Sequence, residues 1–435
     1  MTNMSGVRDL FFDEFYSELE RVVGEIRNRD EKQPEAPLLA KEVARRWIYY
    51  SSNSEDRSET LISVDGGVQI SDFAYGDFVV AGRACALIHR PGSDRGLEKR
   101  VKLYVGQVYD DRDRGFIPGY IRTICEYDVA YNAAKKVLHD GEKPLVLMDG
   151  SLYLSRFPYA IREYMHHTEL LAELFESIYR LRQLSKDEGF PLVAVAKDSS
   201  VFYIYMELLK AALRDAGLGR IAEMADEASS PFDLKMKVEA WEEKEIREIE
   251  PFMEARPLCD SPLIHASTET EGHTLPLYLA PSTQYSKHEV ASSLNRQIDR
   301  RLDPESGGRM KAALKSFFSS PGVAVIYWKP TAKGRPFRVD ILSSSLGHPE
   351  AWDSHTRNMF LDTYPKANIE KILNHLGYWF CNEVEYNIPL KQADTLARFD
   401  RDLYRRKYEP FIVKRLEEAG LDVTGKRRVY REMSG

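Results

Sequence analysis

The stretch from residue 61 to residue 89 alternates apolar and polar positions, as half-buried β-strands do. It begins with LISVDGGVQISDF, in which an apolar run leads to Asp65 and the pair Gly66-Gly67 before the alternation resumes. A second break follows at Gly76. Because Gly-containing breaks between alternating runs are typical of hairpins, the pattern predicts a three-stranded antiparallel meander with Asp65 at a strand end.

The next segments alternate helical patterns with short, continuous apolar runs. KPLVLMDGS (143–151) and FPLVAVAKDSS (190–200) are runs typical of strands that are buried on both faces. Helical patterns precede, separate and follow them, at 118–139, 160–184 and 201–215. Three antiparallel strands followed by αβαβα units form the order of a ribonuclease-H-like core. The expected fold class is therefore α/β, with a mixed sheet flanked by helices.

The remaining segments are mainly helical. We expect an amphipathic helix at 8–28, a loop or short insertion at 90–115, a charge-rich solvated helical insertion at 217–256, a basic helical stretch at 287–319, a hairpin formed by 323–329 and 336–342, and helices at 364–376 and 389–418. This organisation predicts an N-terminal helical segment, 1–57, and one domain, 58–435. Its insertions would lie at about 90–115 and 217–300.

Composition excludes several classes of protein. The chain has 61 basic and 68 acidic residues and a formal net charge of -7, so any site for a polyanion must be local. The four cysteines are far apart and show no zinc or disulfide spacing. No uncharged stretch approaches the roughly 18 residues of a membrane helix. We therefore expect a cytoplasmic protein with no membrane contact.

Two carboxylates share a context that suggests chemistry. Asp65 follows LISV, Asp149 follows LVLM, and a glycine comes after each. Carboxyl ends of strands in α/β sheets are where ligands bind, and neighbouring strands lie only about 4.8 Å apart. Two carboxylates at that separation repel each other unless a cation lies between them. A single Asp-Gly pair is more often only a turn, so the inference depends on both strands.

Two helices supply further acids. Glu126 shares a helix face with Ala130 and Ala133, a face of small residues that can approach the sheet, and Asp128 is expected to face solvent. In NIPLKQADTLARF, Asp394 lies on the apolar face of a helix, where an acid needs a partner. That partner is either a metal ion or Arg398, four residues further on.

Four such acids are what a two-metal phosphodiesterase requires. Ligation by oxygen alone favours Mg²⁺ or Mn²⁺ over Zn²⁺. Lys197, at the end of LVAVAK, would then contact a phosphate as a point charge, unless it only pairs with Asp198. Arg296 and Arg300, in the basic stretch, are candidates to bind DNA, although charged helix faces are usually just solvated.

At this point the sequence resembles the NurA family of DNA nucleases, whose members pair with the HerA translocase. The resemblance is carried in order along most of the chain by SVDGG (63–67), RTICEYDVA (122–130), LVLMDGSL (145–152), VAVAKDS (193–199), VIYWKPTAKGRPFRVDI (325–341) and YNIPLKQADTLAR (386–398). Within the fifth motif, Arg338 belongs to an Arg-x-Asp ending similar to that of the family's late hairpin, and it joins the candidates for DNA contact.

The resemblance implies a ribonuclease-H-like fold and manganese-dependent cleavage of single- and double-stranded DNA, with 5′ to 3′ exonuclease and single-strand endonuclease activity. It also implies a homodimer that docks on a hexameric HerA-type ATPase, for DNA end processing or for defence. Asp65, Glu126 and Asp149 fall on the family's metal-binding acids. Asp394 stands where the family often has His, which leaves the identity of that ligand open.

Two other functions remain open at this stage. An actin-like or sugar-kinase-type ATPase also uses Asp-Gly turns at strand ends, but it would require a second, similar domain, and residues 320–345 lack the phosphate-binding Gly turn of one. A non-catalytic adaptor would bind only DNA or HerA. The intact acids argue against it, provided that they converge in the fold.

Overall fold

The computed structural model describes residues 12–30, 39–52, 59–73, 76–92, 95–110, 112–154, 157–158, 160–197, 199–228, 230–239, 247, 249–252, 257–281, 288–352 and 357–420. No helix in these ranges is both long and apolar enough to cross a membrane. The predicted amphipathic helix at 8–28 is described from Phe12 onward as α1, and residues 1–11 and 421–435 lie outside the described part.

One large mixed sheet organises the chain. Its strands are β1 (Trp47–Tyr49), β2 (Thr60–Asp72), β3 (Asp77–His89), β4 (Gly96–Gln107), β5 (Pro144–Asp149), β6 (Leu192–Ala196), β7 (Gly272–Thr274), β8 (Leu277–Leu279), β9 (Val323–Lys329), β10 (Phe337–Leu342) and β11 (Met359–Phe360). The main order is β1-β7-β9-β10-β6-β5-β2-β3-β4, and β8 joins β11 to β9.

The segment β4-β3-β2-β5-β6 is the predicted ribonuclease-H-like core. β2, β3 and β4 pair antiparallel, whereas β5 runs parallel to β2 and β6 parallel to β5. The predicted late hairpin is also confirmed, because β9 and β10 pair antiparallel and β10 continues the sheet beside β6. The expectation of a mixed sheet flanked by helices is therefore confirmed.

The internal boundaries of the meander differ from the prediction. Asp65, Gly66 and Gly67 lie in the middle of the single 13-residue strand β2, not at a turn. The turn comes later, at Gly76, whose φ of +91° suits glycine. The third strand is β4, within the segment 90–115 that was expected to be a loop. The charged side chains of β4 made a strand resemble a loop, and the glycines of β2 made a strand resemble a turn.

Helices cover the sheet. They are α1 (Phe12–Asp30), α2 (Ala40–Arg45), α3 (Asp113–His139), α4 (Ile161–His166), α5 (Thr168–Glu188), α6 (Tyr203–Asp215), α7 (Gly219–Ala225), α8 (Pro231–Glu239), α9 (Asp260–Ser267), α10 (His288–Arg301), α11 (Pro304–Ser319), α12 (Lys366–Tyr378), α13 (Ile388–Ala397) and α14 (Glu409–Glu418). The short helical run Arg401–Leu403 and a π-helical turn, Tyr404–Tyr408, lead into α14. Asp303 caps α11 and separates it from α10.

Helix α3 is the main support of the core. It packs across β2 and β3 on one side and against α5 on the other, so it is buried on two sides. Asp128 was expected to face solvent, and that expectation is wrong: only 8% of the residue is exposed. It lies between α3 and its neighbours, accepting hydrogen bonds from Ser177 and Arg180 and pairing with Arg100 at 3.4 Å.

The segment expected to be a solvated insertion is packed instead. Ile221, Leu234 and Val238 of α7 and α8 are buried in a second hydrophobic cluster, which also contains Val43 of α2 and Val325 of β9. The acidic stretch 240–246 lies outside the described residues. The segment 1–57 also contains more than helices, because β1 pairs antiparallel with β7 at the far end of the sheet. Both segments therefore belong to the packed part of the domain: α7 and α8 contribute to its second hydrophobic cluster and β1 to its sheet.

Glycine is required at positions 66 and 67 because two helices approach β2 closely at these positions. A Cβ atom at Gly66 would lie 2.8 Å from Glu126 Oε1, and one at Gly67 would lie 2.7 Å from the carbonyl oxygen of Ala397. Gly66 therefore faces α3 and Gly67 faces α13, on opposite sides of β2. The two missing side chains allow both helices to approach the strand that carries Asp65.

We predict that Gly67→Ala destabilises the fold. The Ala397 carbonyl belongs to a helix end that Arg83 Nε holds at 2.7 Å, so it cannot retreat without breaking that bond. The expected loss is about 1–3 kcal/mol of unfolding free energy in urea denaturation. The matched control is Gly119→Ala in the exposed face of α3, where nothing lies within 4 Å. It should be neutral or stabilise by up to about 1 kcal/mol. Equal effects of the two changes would contradict the close-approach explanation.

Candidate active site

Asp65 is a carboxylate held inside the sheet. Only 6% of the residue is exposed, and Oδ1 accepts a hydrogen bond of 2.7 Å from the Gly66 amide. Burial, with further contributions from the charges of Asp149 and Asp394, raises the pKa of Asp65 to about 7. Its ionised form is therefore under-compensated by the protein alone.

Glu126 reaches the same place from α3. It is 5% exposed and its pKa is raised to about 8, chiefly by burial and then by Asp65 and Asp149. The Arg122 Nε atom forms an ion pair with Glu126 Oε1 at 3.0 Å. The geometry is not that of a hydrogen bond, and Oε1 remains buried without a hydrogen-bond partner. A buried carboxylate oxygen that has an ion pair but no hydrogen bond is incompletely compensated, and a further ligand would stabilise it.

Asp149 ends β5, as predicted, and the chain turns away at Gly150 with a φ of +110°. Both of its carboxylate oxygens have partners. Oδ1 accepts a hydrogen bond of 2.7 Å from the Tyr386 hydroxyl, and Oδ2 lies 3.4 Å from Lys197 Nζ. The Lys197 ammonium also stands 4.3 Å from the centre of the Tyr386 ring. Asp198, the alternative partner of Lys197, lies outside the described residues.

Asp394 comes to the site from α13. That helix begins at Asn387, whose side chain accepts from the Leu390 amide, and it packs Ala393 and Ala397 against Cys85 of β3. Asp394 itself is partly exposed, and its charge contributes to raising the pKa values of both Asp65 and Tyr386. The alternative partner, Arg398, is only a loose one, with Nε 3.9 Å from Oδ1.

The structure thus brings all four predicted acids, and Lys197, into one electrostatic neighbourhood. Two residues of the site were missed. Tyr386 is buried and binds Asp149, and Arg122 pairs with Glu126. The i, i+4 spacing between Arg122 and Glu126 could have indicated the ion pair. No local signal distinguishes Tyr386, because its partner is 237 residues away along the chain.

Arg338 has an internal role. Its guanidinium donates to both oxygens of Asp340, at 2.7 and 2.9 Å, and to Ser151 Oγ at 3.1 Å. Asp340 also accepts from the Leu152 amide at 3.0 Å. This buried pair fixes the loop that follows Asp149. The expectation that Arg338 contacts DNA therefore meets a physical obstacle, since its charge is already neutralised inside the protein.

Arg296 and Arg300 are both exposed, in contrast to Arg338. They lie on α10, which packs against α4 and α11. Two other cations of the same basic stretch are already paired, Arg309 with Glu169 and Glu176 of α5, and Lys311 with Asp299 at 2.5 Å. The positive charge of this surface is therefore concentrated at the two predicted arginines and their neighbours on α10.

The residues present fit a hard divalent cation. The donor set consists of carboxylate oxygens, two of them deeply buried with raised pKa values, and one oxygen of Glu126 lacks a hydrogen-bond partner. Among the described residues, however, no three potential ligands already meet in a coordinating arrangement. Arg122 supplies positive charge beside the acids instead, since Asp65, Glu126 and Asp149 all raise its pKa.

The fold and the site together define a class of protein. A ribonuclease-H-like sheet carries one acid in its central strand, one at the end of the neighbouring parallel strand and two from flanking helices. β5 pairs directly with β2 in parallel, so the strand that carries Asp65 and the strand that ends at Asp149 are neighbours in the sheet. The class is an α/β protein with a ribonuclease-H-like sheet and a cluster of carboxylates beside its parallel strands β2 and β5.

The family model of the NurA domain matches residues 59–399, which is most of the chain. This protein belongs to the NurA family and is accordingly a nuclease, a hydrolase, of the kind associated with HerA. A comparison with curated proteins gives no match. Among solved structures, human endonuclease V (ENDOV) is similar at 12% identity, with 85% of this chain and 98% of that chain covered and a TM-score of 0.25. That likeness is too distant to support any argument about function.

We predict that Asp65→Asn stabilises the fold at alkaline pH. Because the folded-state pKa of Asp65 is raised, the folded chain binds this proton more tightly than the unfolded chain between about pH 4 and pH 7. Stability therefore falls as the pH rises through that window. In EDTA at pH 8, the variant should gain about 1–3 kcal/mol over the wild type in thermal or urea unfolding. The gain should disappear near pH 4.

Asp215→Asn, at an exposed position at the end of α6, is the control and should show no such pH dependence. If Asp65→Asn and the wild type had the same free energy of unfolding at both pH values, ionised Asp65 would not destabilise the fold.

Proposed function

We propose that this protein is a metal-dependent deoxyribonuclease that uses Mn²⁺ or Mg²⁺ held by Asp65, Glu126, Asp149 and Asp394. The observation that carries the proposal is the pair of deeply buried carboxylates with raised pKa values, Asp65 and Glu126. Their burial is unfavourable for the protein alone and becomes favourable when a divalent cation neutralises them.

When bound, the metal ions would activate water, orient the phosphate and stabilise the leaving oxygen. The residues of the chain hold and position these groups. Tyr386 donates to Asp149 Oδ1 at 2.7 Å and so fixes the orientation of that carboxylate. Asp340, through Ser151 and the Leu152 amide, holds the loop directly after Asp149. The Tyr386 hydrogen bond and the fixed loop together restrict the movement of the Asp149 carboxylate.

Lys197 and Arg122 supply positive charge at the edge of the site. Lys197 Nζ is 3.4 Å from Asp149 and partly exposed, so it can exchange the carboxylate for a phosphate oxygen as a point charge. The side chain of Arg122 is also partly exposed, and it compensates Glu126 in the absence of a metal. If a bound cation compensated the charge of Glu126, the Arg122 guanidinium would be available to contact a phosphate of the substrate.

The substrate we propose is single- and double-stranded DNA, cleaved with 5′ to 3′ exonuclease and single-strand endonuclease activity. The partner is a hexameric HerA-type ATPase, and the nuclease acts as a homodimer. Membership of the NurA family supports these points. The pathway we propose is DNA end processing or defence. An actin-like or sugar-kinase-type ATPase is not favoured, because β9 and β10 extend the same sheet that carries the acids rather than building a second domain.

We predict that Asp149→Asn abolishes cleavage. The wild type should degrade labelled linear DNA with Mn²⁺, with or without a HerA-type partner, and EDTA should stop the reaction. Asp149→Asn, which keeps the Tyr386 hydrogen bond, should reduce the rate at least about 100-fold, because an amide binds a divalent cation poorly. Asp215→Asn is the matched control. A variant that cleaves at the wild-type rate would remove Asp149 from the site, and ATP hydrolysis without DNA cleavage would favour the ATPase.

Neutralising Arg296 and Arg300 together, by substitution with Gln, should weaken DNA binding. Each lost phosphate contact should lower the slope of log K against log salt by about 0.7 to 0.9. The measurement is fluorescence anisotropy of labelled DNA between low and moderate salt, in Ca²⁺ to prevent cleavage. Lys41→Gln with Arg45→Gln, on exposed positions of α2, is the charge-matched control. An unchanged salt slope in the α10 variant would exclude this surface from the DNA path.

A further inference from the structure

Strand β4 forms one edge of the sheet, and its side chains are arranged contrary to the usual pattern. Residues 96–107 pair with β3, and among the described strands β3 is their only partner. Exposure alternates along the strand, and the exposed positions include Val101 at 64%, Leu103 at 55% and Val105 at 49%. A solvated edge normally turns its polar side chains outward. Here the outward row is apolar, and we refer to Val101, Leu103 and Val105 as the apolar row.

Three charged side chains of β4 point the other way and are paired within the chain, whereas Lys99 lies on the same face as the apolar row. Lys102 pairs with Glu173 at 2.6 Å, Glu98 with Lys136 at 2.8 Å and Arg100 with Asp128 at 3.4 Å. Natural edge strands use such charges to prevent pairing with another chain. In β4 these three charges are paired with residues of α3 and α5, and within the described part of the chain no strand pairs with the outer backbone edge. The strand combines a free hydrogen-bonding edge with an apolar row.

We propose that β4 pairs with β4 of a second copy of this chain, antiparallel and across a two-fold axis at Leu103. Such a pairing satisfies the free edge and buries the apolar row of each subunit against the same row of the other. The inference rests on the homodimer of the proposed function and adds the surface through which the two copies meet; it does not depend on the proposed nuclease chemistry.

The register follows from charge and apolar matching. With the axis at Leu103, Leu103 lies opposite its own copy, Val101 opposite the partner's Val105, and Lys99 opposite the partner's Gln107. An axis at Lys102 would place two lysines opposite each other, and an axis at Val101 would place Arg100 opposite the partner's Lys102. Like charges in directly opposed positions are unfavourable. Moving the axis to Tyr104 would avoid them but would place Val101 opposite a glutamine.

This assembly would place the Asp65 side chains of both subunits on one face of a continuous sheet. Asp65 is paired with Cys85, and Cys85 with Lys99, so these three residues share a face. The apolar row lies at even steps from Lys99 and therefore on that face too. A two-fold axis perpendicular to the sheet keeps the face unchanged. Counting strands and residues from the axis puts the two Asp65 residues about 35 Å apart.

The test is a cysteine cross-link across the axis. In a background with Cys259→Ser and Cys381→Ser, which leaves only the buried Cys85 and Cys125, Leu103→Cys should form a disulfide between subunits under mild oxidation. Val101→Cys should not, because its own copy is about 13 Å away along the strand. When chains with Val101→Cys are mixed with chains with Val105→Cys, a disulfide should form between the two kinds of subunit, because these positions lie opposite each other across the axis.

Light scattering provides the second measurement. The wild type should have twice the mass of the 50.0 kDa chain, and Leu103→Glu should halve it. Met236→Glu, at an exposed apolar position of α8, is the matched control and should remain dimeric. A monomeric wild type, a dimer that Leu103→Glu leaves intact, or equal cross-linking of Leu103→Cys and Val101→Cys would each overturn the proposal. Protection of the β4 amides in a monomer would mean that a segment such as 421–435 covers the edge instead.

Discussion

The close contact of two helices with one strand is the constraint on which the rest of the structure depends. β2 carries no side chain at Gly66 on the α3 side or at Gly67 on the α13 side, and the contacts there would be under 3 Å for any other residue. Because α3 can approach, Glu126 reaches the level of Asp65, and because α13 can approach, so does Asp394. The same proximity removes water from the carboxylates and raises the pKa values of Asp65 and Glu126.

A second set of contacts holds the end of α13 and the loop after β5 in place. Arg83 of β3 donates to the Ala397 carbonyl and stacks on Phe399 at 4.2 Å, which fastens the end of α13 to the sheet. The buried Arg338–Asp340 pair fastens the loop after β5. Removing either partner of such a buried pair leaves an uncompensated charge, which is strongly destabilising. Residues far from the acids thus control how accurately the acids are placed.

Sequence patterns could predict the antiparallel-then-parallel order of the ribonuclease-H-like core and the four acids, because both follow from local signals. Continuous apolar runs identified β5 and β6, and helical spacing put Glu126 and Asp394 on faces of small residues. The patterns failed where a tertiary contact decided the outcome. Gly66 and Gly67 indicated a turn locally, whereas their real cause is two helices more than 50 residues away along the chain. Asp128 looked solvent-facing because α3 was expected to be buried on one side only, and Tyr386 had no nearby partner to reveal it.

The distribution of the site along the chain has a consequence for how the protein is made. Asp65, Glu126 and Asp149 are synthesised early, as is Arg83, whereas Tyr386, Asp394 and the Ala397 carbonyl that Arg83 binds enter only when about nine tenths of the chain exists. During translation the first three acids therefore wait in a site that lacks its closing helix and the hydroxyl that orients Asp149. A chain that ended before Tyr386 would therefore contain three of the four acids but neither Asp394 nor the hydrogen bond that orients Asp149.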